Sequence, residues 1–335
     1  MKNPTQKDIA HKLKLSVTAV SKALNNDSDI SEARKQQVRE CANEIGYVRN
    51  FMASNIRRSS SMMVGLVCSD LSQPYFSSVL FACENVLLGA GYQPLLFSSY
   101  EDAQRELNIL NQLSSLNVAG MIVALAQNST KSIQLLRRQN IPYVLFTRWH
   151  EKESDHYVVA NDYMAGYIAT RCLLEQLPSH PVLCINGPDN ISPTRMRYEG
   201  YLAAMKEQDI AVAPGWVFNN LRMPEDGYRV GIEAGRRIKP PFTAFCSTDF
   251  IASGFLRGVF DQGLYVPQDV SIISVDDIIE ARYMTPALST VVLPKEQIGA
   301  MSAGMLLKLI ACGSVEEPHL SLEPKLVLRE TTRNG

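Results

Sequence analysis

The first 60 residues carry 11 Lys and Arg against 6 Asp and Glu, a net charge of +5. The remainder of the 335-residue chain holds 22 against 28, which brings the whole to −1. Cations concentrated in this way exchange condensed counterions for phosphate contacts, the chemistry of nucleic-acid binding. Among them stand Ser16, Ser21, Asn25 and Ser31, short polar groups that bond phosphate oxygens and fix register without reading sequence. For Ser16 and Ser31 a helix-capping role is equally open, and the two roles are compatible. A helical cap whose charges are merely solvated would have to match both this sign and the helix spacing by accident.

Three short amphipathic helices can position these groups. Thr5 followed by Asp8 is a capping-box start, with Ile9 and Leu13 four apart on one face. Ser16 can cap a second helix carrying Val17, Val20 and Leu24. Ser31 can cap a third, with Val38, Ala42 and Ile45 inward and Gly46 ending it in a left-handed conformation. Two helices joined by about four residues and followed by a packing helix make a helix-turn-helix. Residues 50–61 then read as a hinge or a polar linker, too short to hold a helix alone in water.

The segments DIA, SVTAVSKALN, the Ser31 helix and GYVRN followed by FMASNIR resemble the DNA-binding head and hinge of the lactose-repressor (LacI) family. The resemblance implies a head over 1–49 and a hinge over 50–61 that becomes helical on operator DNA. It implies DNA contacts from Thr5, Ser16, Val17, Thr18, Ser21, Lys22, Asn25 and Ser31. In the hinge it implies them from Asn50, Ala53, Ile56 and Arg57, with Ile56 as an apolar wedge in the minor groove. Val17 suits a thymine methyl, Thr18 can donate or accept, and Lys22 can reach guanine O6 and N7. Three residues depart from the family pattern: Lys14 where Gly is favoured, Lys22 for Arg, and Arg49 for Pro.

From Met62 onward, β-rich runs alternate with helical ones. MVGLVCS, QPLLFSS, AGMIVALA and PYVLF read as strands, with helices at 75–88, 101–116 and 131–139. A second series has strands VLCIN, TAFCS and VSIISV and helices at 165–176, 194–208, 226–238 and 251–262. Such βαβ series make parallel sheets covered on both faces. Together with the landmarks DLSQPYF, TRMRYEGYLAAM and VPQDVSIISVDD, they resemble the family's effector-sensing core, itself similar to periplasmic binding proteins. The expected fold is a helical helix-turn-helix head plus an α/β core of two parallel-sheet subdomains. The first subdomain is expected over 62–161 plus 293–324, the second over 162–292 plus 325–335.

Ligands of such sheets bind beyond the strand C-termini, in the cleft between the halves. The resemblance implies effector contacts from Arg197 and Asp276, an acid–base pair able to clamp a polyol across the cleft. An ion pair between the subdomains is the alternative for these two. Tyr75 and Phe76 match pocket-lining positions, or are core aromatics. Arg148, Trp149 and Thr248 complete the set, Trp149 as a platform for a sugar ring, with Trp216 and Phe218 as weaker candidates. Asp249 is expected to cap the helix that follows it.

Nucleophile elbow, Walker loop and HExxH motifs are missing, and Gly89-Ala90-Gly91 ends a helix instead of following a strand. No enzyme, cofactor or metal is expected, His150 and His156 being ordinary loop residues. The seven cysteines are scattered without a CxxC pair, as buried thiols in a reducing cytoplasm are. The absence of an apolar leader or span places the protein in the cytoplasm, at the bacterial nucleoid. A single helix-turn-helix reads few base pairs, so a homodimer on a palindromic operator is expected. The chain stops at Gly335 without leucine heptads, so no tetramerising tail is expected. The function so read is a repressor of carbohydrate-utilisation genes, switched by a sugar-like effector. The alternative is a cytosolic small-ligand-binding module with no role on DNA.

Overall fold

The computed structural model describes residues 4–47, 61–127 and 130–333. Contacts divide the chain into two units, Met1–Ser60 and Ser61–Gly335.

In the first unit, helices α1 (Gln6–Leu13), α2 (Val17–Leu24) and α3 (Glu32–Glu44) enclose Ile9, Val20, Ala23 and Val38. The Asp8 carboxylate accepts from the Thr5 backbone N–H at 2.7 Å, closing the start of α1. Ser16 Oγ accepts from the Ala19 N–H at 3.1 Å and starts α2. Each helix ends in a Schellman turn around a residue of positive φ: Lys14 (52°), Asn26 (59°) and Gly46 (69°). The paired bonds Leu15 N–H to Ala10 O and Tyr47 N–H to Ala42 O satisfy carbonyls that the helix ends would orphan. Gly46 adopts this conformation at no steric cost. Lys14 does so against its Cβ.

The second unit holds two six-stranded sheets. The first contains β1 (Met63–Cys68), β2 (Gln93–Ser98), β3 (Gly120–Val123), β4 (Tyr143–Phe146), β5 (Tyr157–Ala160) and β11 (His319–Leu322), in the order β11-β5-β4-β3-β1-β2. The second contains β6 (Val182–Ile185), β7 (Val217–Phe218), β8 (Phe242–Cys246), β9 (Val270–Asp276), β10 (Ser289–Val292) and β12 (Lys325–Val327), in the order β12-β10-β9-β8-β6-β7. Every pairing is parallel except β10 with β12. Burial on both faces explains why central strands such as β3 and β8 are buried at every residue and mostly apolar.

The helices are α4 (Pro74–Gly89), α5 (Ala103–Ser115), α6 (Thr130–Arg138), α7 (Asp162–Gln176), α8 (Ser192–Glu207), α9 (Pro224–Arg237), α10 (Asp249–Asp261) and α11 (Lys295–Cys312). The chain leaves the first sheet after β5, returns through α11 to β11, and ends on β12 of the second. No helix among the described residues is long and apolar enough to cross a membrane.

Candidate functional site

On the head, most of the described residues singled out as DNA contacts are exposed. Thr5, Ser16, Val17, Thr18, Asn25 and Ser31 are all exposed, while Ser21 and Lys22 are half-buried. Val17 is the informative one. It has the apolar periodicity of a core residue, yet its neighbour Val20 is fully buried and Val17 is not. Val17 lies in the first turn of α2 and is 37% exposed, so its side chain is open to contact from outside the head. The Ser31 side chain makes no capping bond, contrary to expectation; Arg34 and Lys35 bond its backbone carbonyl instead. Its hydroxyl is therefore not committed to the helix start. Lys22 lies in an ion pair with Asp29, Nζ to Oδ2 at 2.5 Å. Asn50, Ala53, Ile56 and Arg57 lie outside the described residues.

In the second unit, the chain order of both sheets reverses beside a central strand, between β1 and β3 and between β6 and β8. Those two switch-point strands are followed by Ser69 and Asn186. Asn186 Oδ1 is buried and, among the described residues, has no protein hydrogen-bond partner; Ser69 Oγ, also buried, lies beside the Glu101 carboxylate, whose pKa it helps to lower. Buried polar groups are nearly always satisfied, so an orphan at a strand C-terminus signals a ligand or ordered water. Non-glycine residues of positive φ follow or close other strands of the two sheets: Tyr100 and Glu101 after β2, Thr147 after β4, and Asp276 with Asp277 at β9. Backbone strain of this kind persists where function holds it.

Arg197, buried on α8, is the hub. Its Nε donates to Asp162 Oδ1 at 2.8 Å, Nη2 stands 3.5 Å from Asp276 Oδ1, and Nη1 donates to the Ser247 carbonyl. Gly166 and Gly200 make this possible by letting α7 and α8 meet backbone to backbone. A Cβ on Gly166 would stand 1.9 Å from the Arg197 carbonyl oxygen. Burial raises the pKa of Asp162 despite the guanidinium beside it. Burial likewise pushes Asp276 up to about 7, against the pull of Arg197. The expected geometry needs correction here. Arg197 and Asp276 do not face each other across the cleft, since both belong to elements of the second sheet. The nearer carboxylate is Asp162, in the first turn of α7.

Tyr75 is buried on α4, its hydroxyl 3.2 Å from Thr147 Oγ1, and it feels the charges of Asp162, Asp276 and Arg197. Phe76, also buried, packs edge-on against Phe146, as a core aromatic does. Arg148 is held by both Glu101 oxygens, at 2.6 and 2.8 Å, and by the Leu125 carbonyl. Arg222, which follows β7, reaches the same carboxylate at 3.5 Å. Trp149 stacks on Tyr157 with ring centroids 5.0 Å apart, and its backbone N–H donates to Ser192 Oγ. The cap expected of Asp249 is supplied by Thr248 instead. Thr248 caps α10 through the Ile251 N–H, whereas Asp249 is fully buried and accepts from Ser274, Thr290 and the Ile278 N–H. Lys295, at the start of α11, donates to the carbonyls of Asp276 and Asp277 and so joins α11 to the end of β9. Among the described residues no cluster of His, Cys, Asp and Glu could hold a metal.

Sequence reasoning missed Asp162, Glu101, Ser69, Asn186 and Lys295. Asp162 carried a signal, since Asn161 caps α7 through the Met164 N–H and places the next residue in the first turn. The others depend on contacts distant in sequence.

Comparison with known proteins agrees with this arrangement. Residues 5–50 match the family model described as bacterial regulatory proteins, lacI family, and residues 170–332 match a periplasmic binding protein-like domain. A curated relative, the HTH-type transcriptional repressor PurR of Pectobacterium carotovorum subsp. carotovorum (strain PC1), is 30% identical over 99% of this chain and 97% of its own. A second PurR, from Histophilus somni (strain 129Pt), is 27% identical over 98% of this chain and 99% of its own. The fold is that of the lac repressor dimer bound to operator and the anti-inducer ONPF, with TM-score 0.86, 19% identity and 99% of each chain covered. The chain belongs to the lacI family of bacterial regulatory proteins. It is a transcriptional repressor with a helix-turn-helix DNA-binding domain and an effector-binding core. A ligand-binding module with no role on DNA is thereby excluded.

Proposed function

We propose that this repressor is switched by a small polyhydroxylated, sugar-like effector held between its two lobes. The observation carrying this reading is the buried set Arg197, Asp162 and Asp276 beside Tyr75, together with Asn186 Oδ1, buried without a protein partner just after the switch-point strand β6. A ligand with several hydroxyls can donate and accept at once to such a mixed set. Arg148, Trp149 and Thr248 are assigned as further effector contacts, and Phe76, edge-on to both Tyr75 and Phe146, supports Tyr75 from the core. The lobes are assigned as 62–161 with 293–324 and 162–292 with 325–335, which the path of α11, β11 and β12 supports.

On DNA, the reading gives base contacts to Val17, Thr18 and Lys22, and phosphate contacts to Thr5, Ser16, Ser21, Asn25 and Ser31. In the hinge, Ile56 is assigned as the minor-groove wedge with Arg57 beside it, Ala53 to the contact between paired hinges, and Asn50 as a further DNA contact. The protein acts as a homodimer in the cytoplasm, without catalysis or cofactor. Phe81 and Leu88, seven apart on α4, together with Leu96 of the edge strand β2, are exposed apolar residues suited to a self-complementary face.

A thermal-shift screen of sugars and sugar acids tests the effector class, because a ligand that binds only the folded state raises the melting temperature. The reading predicts a hit whose shift is lost in Asn186→Ala while the unliganded melting temperature is kept. A hit untouched by Asn186→Ala and Arg197→Ala places the effector elsewhere.

A further inference from the structure

The ion pair on the recognition helix points to a determinant of DNA specificity outside the set of contact residues. Lys22, whose role as a DNA contact belongs to the reading above, donates from Nζ to Asp29 Oδ2 at 2.5 Å. Asp29 does not sit on a loose loop. The Schellman turn at Asn26 is closed by Asp27 N–H to the Lys22 carbonyl, and Arg39 of α3 donates to Asn26 Oδ1. The Asp29 N–H in turn donates to Asp27 Oδ1 at 3.0 Å. The carboxylate is therefore presented from a fixed backbone to the cation of the reading helix. Lys22 is half-buried and Asp29 exposed, with 41% and 66% of their side-chain surface open to solvent, so the pair is weak enough to be displaced.

We propose that Asp29 sets specificity by competing with phosphate for the ammonium of Lys22. On an arbitrary duplex the gain from one more phosphate is reduced by the loss of the Asp29 contact. On a cognate site, guanine O6 and N7 together out-compete the carboxylate, and Lys22 transfers to the base edge. The pair therefore acts against non-specific binding, the competitor that limits any repressor in a genome. Lysine suits such an exchange, being a flexible point charge that can change partners without rebuilding a planar fork.

The test is a double-mutant cycle in the full-length protein, read by fluorescence anisotropy on a random-sequence duplex and on a palindrome selected by the wild type. Asp29→Asn is expected to tighten random-duplex binding about fivefold and to steepen the slope of log K against log salt by about 0.9, the value of one phosphate contact. The affinity ratio of palindrome to random duplex should fall by a similar factor. In a Lys22→Gln background, Asp29→Asn should leave both quantities nearly unchanged. Equal gains in the two backgrounds would mean a general charge effect and overturn the proposal. Weaker binding with a lower melting temperature of the head would make Asp29 structural and overturn it too. If Lys22→Gln alone leaves all duplex binding unaltered, the assignment of Lys22 to DNA fails first and the proposal with it.

Discussion

The head and the core build ion pairs from the same residue types and use them in opposite ways. Lys22 and Asp29 meet at the surface, where water and salt screen them and partners exchange readily. Arg197, Asp162 and Asp276 meet where each side chain is almost wholly buried, so each charge depends on the others being present. Binding a polyanion whose sequence varies calls for contacts that exchange. Holding one small ligand calls for a fixed, desolvated set.

The largest effect should follow from breaking the buried set. Arg197→Ala leaves two buried carboxylates without their cation and should destabilise the core by about 3–5 kcal/mol, read as a lower urea midpoint. Lys22→Gln should leave the thermal midpoint of the head unchanged. Comparable losses from both would erase the contrast.

Protonation separates the two regions next. Burial raises Asp276 to about 7 and Asp249 to about 6, from an ordinary value of 3.8. Each keeps its proton in the folded state at pH values where the unfolded chain has lost it. Core stability therefore falls as pH rises from about 4 toward 7 and levels off above. Denaturation midpoints between pH 5 and 8 should show this slope, and Asp276→Asn should flatten it. A rising curve over that range would contradict the assignment. The Lys22–Asp29 pair moves the other way. Its hydrogen bond raises Lys22 and lowers Asp29, so both stay charged throughout that range and contribute no slope.

DNA affinity offers a smaller contrast. Lys22→Gln should weaken binding to a selected palindrome about tenfold, the scale of one base contact, while effector binding stays unchanged. The smallest effect concerns the turn before the recognition helix. Lys14 holds φ at 52°, and Lys14→Gly should relieve roughly 1 kcal/mol of left-handed strain, seen as a raised melting temperature of the head. A fall instead would mean that the lysine side chain itself stabilises the turn.

Legibility in the sequence follows the same division. Capping at Thr5 and Ser16, the stop at Gly46 and the βαβ alternation are local, and they located the head and most strands and helices. Helix ends shifted by one to three residues, as with α7, which begins at Asp162 and not at 165. Short strands such as β5, β7 and β11 escaped because two to four residues carry little periodicity. On the head, the proposed DNA contacts are exposed groups that can be named from their residue types. In the core the proposed site depends on partners 35 to 79 residues apart, such as Asp162 and Asp276 around Arg197. Arg148 shows the limit most clearly: its place after a strand was legible, but its engagement by Glu101 was not.

The most direct test of this account is selection of duplexes from a random pool by the full-length protein at physiological salt, followed by affinity measurement with and without a stabilising ligand from the thermal-shift screen. The account predicts a two-fold symmetric consensus, bound at least about a thousandfold more tightly than random DNA, with an affinity that the ligand changes. Recovery of no symmetric site, with every duplex bound alike whether or not ligand is present, would contradict it.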